Sequence, residues 1–287
     1  MPEVAVVTDS TSYLPRELVA AHGIHEVSLY VRDRAGQRRE LDISDYGRFY
    51  DDLRTAAELP TTSQPSIGDF ATAYAPLAAA GRDVVSIHIS GGISGTVESA
   101  RQAAAEVSAE HPGRRIEVVD SGVSAGALGL VALAAAGRAH AGGDADAVVA
   151  AAREAMAAMR FWFAVDTLEY LRRGGRIGAA QAWLGGALKI KPILTLDGEI
   201  TPVERVRTSR RAYERMVEYM HERRADGADA WVVQHVQSPE VAARLIEQGR
   251  EIYGCEPAFV SEVGPVIGAH VGPGLVGVGG IPRALLA

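Results

Sequence analysis

Apolar positions in the first half of the chain fall into short β-branched runs separated by longer stretches with helical spacing. Val4–Thr8 is one such run, and it stops at the polar cluster Asp9-Ser10-Thr11-Ser12; this predicts a strand with hydroxyls at its carboxyl end. Pro15 marks the first turn of a helix to Ala21. His25–Val31 reads as a second strand, followed by a charged turn over 33–39. Ser44 is placed to cap a helix to about Ala57. Leu59 to Ser66 holds two prolines and four hydroxyls and reads as loop. Ser66 then caps a helix to about Ala80, with Asp69 three residues on as a near capping box. Val84–Ile89 predicts a strand, Ser90 to Thr96 a turn that opens a helix to about Ala109, and Ile116–Val119 another strand. Helices follow over 124–141 and 144–159.

The pattern changes after Arg160. Strands are expected at Phe161–Asp166, Pro192–Leu196, Thr201–Arg207, Ala230–Val236 and Pro257–Val263. Helices are expected at Thr167–Arg173, Ser209–Arg224 and Pro239–Ile252, and Gly264 to Gly280 reads as one more glycine-containing strand. Alternation of strands with helices in 1–160 predicts an α/β lobe of βαβ units around a parallel sheet, where ligands sit outside the strands' carboxyl ends. The irregular order in 161–287 predicts an α+β lobe.

Composition narrows the function classes. The chain has 287 residues, 47% hydrophobic and 23% charged, which suits a folded core rather than disorder. A net charge of −7 gives no general attraction to nucleic acid or anionic lipid. A lone cysteine, Cys255, excludes an internal disulfide and a cysteine zinc site. Val123 to Gly137 is uncharged but too short to span a bilayer, so it reads as a buried helix. No secretory pattern stands at the start, and we expect a cytoplasmic protein without stable membrane insertion.

Five stretches are candidates for chemistry. Gly122-Val123-Ser124-Ala125-Gly126 matches a hydrolase nucleophile elbow formally, with Asp166 and His235 or His270 following in the order serine, aspartate, histidine. The plainer reading makes Ser124 a helix cap. Ser90 to Thr96 offers backbone N–H groups at a helix start to a phosphate or carboxylate. Neither a Walker lysine nor a G-x-G-x-x-G motif accompanies it. Thr61-Thr62-Ser63 is pinned between Pro60 and Pro65, and His270 lies among small residues in Gly268 to Gly274. Basic residues gather at Arg172, Arg173, Arg176, Lys189, Lys191, Arg205 and Arg207, a solvated face or a docking patch for an anionic partner.

These stretches also stand in a telling order. Thr8-Asp9-Ser10-Thr11, Thr62-Ser63-Gln64-Pro65-Ser66, Ile93-Ser94-Gly95-Thr96, Leu168-Glu169-Tyr170-Leu171 with Gly174-Gly175-Arg176-Ile177, Ile190-Lys191-Pro192-Ile193-Leu194 and His270-Val271-Gly272-Pro273-Gly274 follow one another. With them the chain resembles the DegV family over essentially its whole length. Arg176-Ile177-Gly178-Ala179-Ala180-Gln181-Ala182-Trp183 is similar to the fatty-acid-binding subunits of bacterial fatty acid kinase. The resemblance implies two lobes, 1–160 and 161–287, a mixed sheet in the second, and a long-chain fatty acid buried between them. It implies a non-catalytic carrier with no cofactor and no metal, which presents the carboxylate to a separate ATP-dependent kinase subunit that makes the acyl phosphate. The carboxylate-binding positions would be Thr62, Ser94 and His270, with Ser63, Gly95 and Thr96 beside them. Arg176, Arg173, Arg172, Lys191, Arg205 and Arg207 would dock the kinase. Gly91-Gly92 stands where bulkier residues are common, which implies a wider pocket mouth, and Val97 stands where an aromatic often follows the turn, which bears on acyl-chain preference. A serine hydrolase on Ser124 is the alternative. A small-molecule phosphotransferase is a third reading, since the fold resembles that of dihydroxyacetone kinases.

Overall fold

The computed structural model describes residues 3–34, 36–184 and 190–287. The first half runs β1 (Val4–Asp9), α1 (Arg16–Ala21), β2 (His25–Val27), β3 (Tyr30–Asp33), β4 (Gly36–Arg39), α2 (Tyr46–Thr55), β5 (Thr61–Ser63), α3 (Ile67–Ala79), β6 (Asp83–His88), α4 (Thr96–Glu110), β7 (Ile116–Asp120), α5 (Ala125–His140) and α6 (Ala145–Ala158). The second half runs β8 (Arg160–Ala164), α7 (Glu169–Arg173), β9 (Lys191–Asp197), β10 (Glu199–Val206), α8 (Ser209–Ala225), β11 (Ala230–His235), α9 (Pro239–Tyr253), β12 (Phe259–Glu262), α10 (Pro265–Val271) and β13 (Val276–Ile281).

Three sheets result. A four-stranded sheet, ordered β2-β1-β6-β7, is parallel throughout. A six-stranded sheet, ordered β10-β9-β8-β13-β11-β12, is mixed, with β11 and β12 its parallel pair. A small antiparallel sheet has the order β4-β3-β5. The α/β fold with one parallel and one mixed sheet is as the sequence predicts.

All six residues of β1 are buried, as expected of a central parallel strand. Helix α5 is apolar on every side and buried along almost its whole length. It packs against β1 and β6 of the parallel sheet and against β11 and β13 of the mixed sheet, so one helix fills the space between them. Leu128, Leu130, Val131 and Leu133 lie within that core, and each contributes about 1.5–3 kcal/mol of burial.

Local chemistry sets the element boundaries. Ser66 Oγ accepts from the Asp69 N–H at 3.1 Å while Asp69 Oδ2 accepts from the Ser66 N–H at 2.8 Å, a complete capping box on α3. Asp144 caps α6 through the Ala147 N–H at 2.9 Å.

Several expectations are corrected. The run His25–Val31 is two strands in two sheets. The chain turns at Ser28-Leu29, where the Leu29 N–H donates to Ser10 Oγ at 3.1 Å and the Leu29 carbonyl accepts from the Glu40 N–H at 2.8 Å. The charged turn over 33–39 contains β4. Asp45, not Ser44, caps α2, accepting from the Arg48 N–H at 2.9 Å. Thr61–Ser63 is not loop but the edge strand β5, paired with β3. Gly264 to Gly280 contains α10 before its strand, with Pro265 in the first turn. Ser124 occupies the cap position of α5 but makes no side-chain cap bond, and the left-handed residue at that turn is Ala125, with φ +57°.

Candidate functional site

The polar clusters converge because the elements that carry them end at one place. Strand β5 is held against β3 with Thr62 opposite Val31. The β6–α4 loop brings Ile93, Ser94 and Gly95 to the same side. Helix α10 is fixed from below by residues distant in sequence. Glu40 Oε1 accepts the Val266 N–H at 2.8 Å, Tyr13 Oη accepts the Ile267 N–H at 3.1 Å, and Tyr50 donates to the Val263 carbonyl at 2.6 Å. Burial pushes the Glu40 carboxyl up to about 7, against three hydrogen bonds from Ser10, Tyr13 and Val266 that favour its ionised form.

Between these elements lies a cavity with one polar end. Thr62, Ser63, Gln64, Ser94, Gly95, Arg176 and His270 line that end. The rest of the wall is apolar, including Leu29, Ile89, Phe161, Phe163, Leu171, Leu196, Ile200, Val266 and Leu275, apart from Ser124 and Gln234. Both halves of the chain supply walls.

Thr62 Oγ1 and His270 Nε2 are 2.8 Å apart across 208 positions of sequence. His270 Nδ1 is buried without a partner, because Gly174 packs against it: a Cβ at Gly174 would stand 2.3 Å from that nitrogen. Burial, with the neighbouring Arg176 cation second, pushes the imidazole down to about 4. His270 is therefore neutral at pH 7. A neutral ring offers one N–H to an acceptor.

Ser94 Oγ lies 2.8 Å from Thr96 Oγ1. Thr96 is fully buried and stands behind the cavity wall rather than on it. Ser63 and Gly95 are on the wall, and Gln64, which sequence reasoning passed over, covers Gly95: a Cβ there would meet Gln64 Nε2 at 2.9 Å. Gln234 was also missed. It is fully buried, accepts the Gly126 N–H at 2.5 Å and donates to Ser261 Oγ at 2.9 Å. A glutamine inside the apolar run Ala230–Val236 was the available signal.

The expected wider mouth at Gly91-Gly92 is corrected. A Cβ on Gly92 would lie 2.1 Å from the Gly198 carbonyl oxygen, and one on Gly91 would lie 2.7 Å from Asp120 Oδ2. The turn between β9 and β10 fills that space, and Ser90 Oγ donates to the Gly198 carbonyl at 2.7 Å. Val97 is buried in the core and is not part of the cavity wall.

The basic residues are less uniform than their spacing suggests. Arg176 is on the cavity wall, with Nη1 donating to the Gly174 carbonyl at 2.9 Å and Nε to the Ile93 carbonyl at 3.3 Å. Arg172 grips Glu169 through two bonds of 2.9 and 2.6 Å, and Lys191 Nζ is 2.5 Å from Asp166. Their charges are locally matched, so these two are not free cations of a docking patch. Arg173 donates to the Ala57 carbonyl at 2.9 Å, the Arg205 guanidinium lies 5.3 Å from the Trp183 ring centre, and Arg207 is exposed. Lys189 falls outside the described residues.

The hydrolase constellation is not assembled. Asp166 is engaged by Lys191, His270 by Thr62, and His235 Nδ1 accepts from the Ser238 N–H at 3.4 Å. A serine–histidine–aspartate contact does exist elsewhere. His88 Nδ1 is 3.0 Å from Asp9 Oδ2 and His88 Nε2 is 2.6 Å from Ser86 Oγ. All three side chains are fully buried, and Asp9 also accepts from the Thr11 and Ile89 N–H groups, so the contact braces the end of β1. Among the described residues no group of three or more His, Cys, Asp or Glu is arranged to hold a metal, and no helix is long and apolar enough to cross a membrane.

A family model described as "Uncharacterised protein, DegV family" matches residues 3–283. A DegV domain-containing protein of Streptomyces coelicolor is 44% identical over 281 residues, covering 96% of this chain and 97% of that one. Protein DegV of Bacillus subtilis is 39% identical over 96% of this chain and 98% of its own length. Among solved structures, a fatty-acid-binding DegV family protein of Thermus thermophilus superposes with a TM-score of 0.87 at 35% identity, covering 98% of this chain and all 100% of that chain. The Bacillus subtilis DegV structure, described as a fatty acid binding protein, gives a TM-score of 0.86 at 38% identity over 99% of this chain and 100% of its own. With a family model matched over residues 3–283 and relatives matched over nearly the whole chain, the chain belongs to the DegV family.

Proposed function

We propose that this protein binds a long-chain fatty acid in the cavity and holds the carboxylate at its polar end. The observation that carries the reading is the Thr62–His270 pair at 2.8 Å, set at the polar end of a largely apolar cavity. A carboxylate cannot be buried without donors, and Thr62, Ser94 and the neutral His270 supply them, with Ser63 and the Gly95 backbone beside them. Arg176 adds the cation. Each buried CH₂ gains about 0.8 kcal/mol, so a long chain gains on the order of 10 kcal/mol before ordering costs. Such a ligand leaves slowly for water, which suits a carrier. Relatives of known structure are described as fatty-acid-binding, which supports the same ligand here.

In the same reading the two lobes, 1–160 and 161–287, enclose the chain between them. The carboxylate is presented at the mouth to a separate kinase subunit, whose ATP yields the acyl phosphate. Arg173, Arg205 and Arg207, with the edge of Arg176, would face that partner; Arg172 and Lys191 are already paired and contribute less.

Native mass spectrometry of the purified protein tests the ligand. A bound mass equal to a fatty acid is expected, and Thr62→Ala with Ser94→Ala should abolish most of it while the fold melts normally. Undiminished lipid in the double variant would overturn the head-group assignment.

A further inference from the structure

We propose that a second site, the cleft between α1 and the carboxyl end of α5, binds a small organic oxyanion: a phosphate or carboxylate on an apolar body. The cleft lies at the opposite end of α5 from the acyl cavity, about 20 Å away by helical rise. Ala125 and Ala127 line the cavity, whereas Ala136, Ala139 and His140 line the cleft.

Its volume is about 450 Å³, within the range of small-molecule sites. Among the described residues Arg16, His22, His25, Arg82 and His140 line it, and no aspartate or glutamate does. In a chain of net charge −7 this is a local inversion of sign. The remaining wall is apolar, with Val19 and Ile24 among it, and suits a ring or short hydrocarbon.

One polar atom of the lining lacks a partner among the described residues. His22 Nδ1 is buried and has no hydrogen-bond partner, a cost that a ligand oxygen would relieve. The His22 and His140 rings stand 6.0 Å apart. Burial pushes both His22 and His25 down, and the neighbouring His140 and Arg82 add to it, as expected where positive groups crowd one cleft. Arg82 is fixed at the rim by donating to the Val4 carbonyl at 3.1 Å. Glu26 lies outside the cleft lining; burial raises its carboxyl to about 7, and the Arg16 charge draws it partly back. The carboxyl end of α5 contributes about half a negative charge, less than two guanidiniums oppose. Guanidiniums and imidazoles together favour an oxyanion over a halide, through forked and directional bonds.

The test titrates phenyl phosphate, benzoate and benzyl alcohol into the full chain, read by histidine side-chain NMR and by calorimetry. Phenyl phosphate should shift the His22, His25 and His140 signals with a dissociation constant of about 1 mM or tighter, leaving His270 unmoved. Weaker binding of benzoate assigns a phosphate ester as the ligand type; equal or tighter binding assigns a carboxylate. Arg16→Gln combined with His140→Gln, both exposed side chains, should weaken the anion at least tenfold without changing fatty-acid retention. Silence of the three histidines toward both anions, equal shifts with benzyl alcohol, or unchanged affinity in the double variant would each overturn the site.

Discussion

At the scale of single residues, the site depends on which polar atoms are left with something to give. His270 uses Nε2 toward Thr62 and presents a buried Nδ1 to Gly174. Burial holds its ring neutral down to about pH 4, so acid must protonate it in the unfolded chain first. Its folded value is depressed, so the folded state binds fewer protons than the unfolded one between about 6.5 and 4. Stability from this residue falls as pH drops through that window, by up to about 3 kcal/mol. A bound carboxylate beside the ring should raise its value, and an NMR titration of His270 with and without fatty acid checks both statements. An identical titration in the two states would count against direct contact. Ser124 is the contrasting residue. Its hydroxyl makes no cap bond, so Ser124→Ala should cost less than about 0.5 kcal/mol, below the usual penalty for a lost cap. A thermal melt measures the difference, and covalent labelling of Ser124 by a fluorophosphonate would contradict the carrier reading.

At the scale of elements, α10 decides where His270 stands, and Glu40 decides where α10 starts. Glu40 is 1% exposed and joins Ser10, Tyr13 and the Val266 N–H in one buried knot, with Tyr50 holding the preceding carbonyls. Its folded value is raised to about 7 from an ordinary 4.5. The folded state therefore keeps a proton that the unfolded chain has lost, and Glu40's contribution is complete below about pH 4.5 and disappears as pH rises through 7. Glu40→Gln should flatten the decline in melting temperature between pH 5 and about 8. An unaltered pH profile in the variant would place the titration elsewhere, with Glu26, also raised to about 7, the next group to test. The capping box on α3 was readable as residue spacing, because capping is a local hydrogen bond. Strand β5 and helix α10 were not, because Thr61–Ser63 is a strand only in the presence of β3, and α10 carries glycines that its neighbours require. A Cβ at Gly268 would fall 2.0 Å from the Tyr50 hydroxyl.

At the scale of the whole molecule, α5 joins the two sheets and the cavity opens at its amino end. Arg176 lines the cavity and is also exposed, where the proposed ligand and kinase would meet. Arg176→Ala should lower fatty-acid affinity by severalfold and acyl-phosphate formation with a kinase subunit by more, with the latter alone sensitive to salt. Equal losses in both, independent of salt, would confine Arg176 to the cavity. The sequence by itself determined the alternation of strands and helices, the fully buried α5, the hydroxyl-rich turns and the order of motifs that marks the family. These are set by local periodicity and by residue types whose backbone preferences act within a few positions. Only the tertiary structure decided that Arg176 lines the cavity, that Arg172 and Lys191 are neutralised by Glu169 and Asp166, that the Gly198 turn fills the space left by Gly91-Gly92, and that His270 is uncharged. Each of these depends on groups that meet across long sequence separations, where burial and a neighbour's charge, rather than spacing along the chain, fix the outcome.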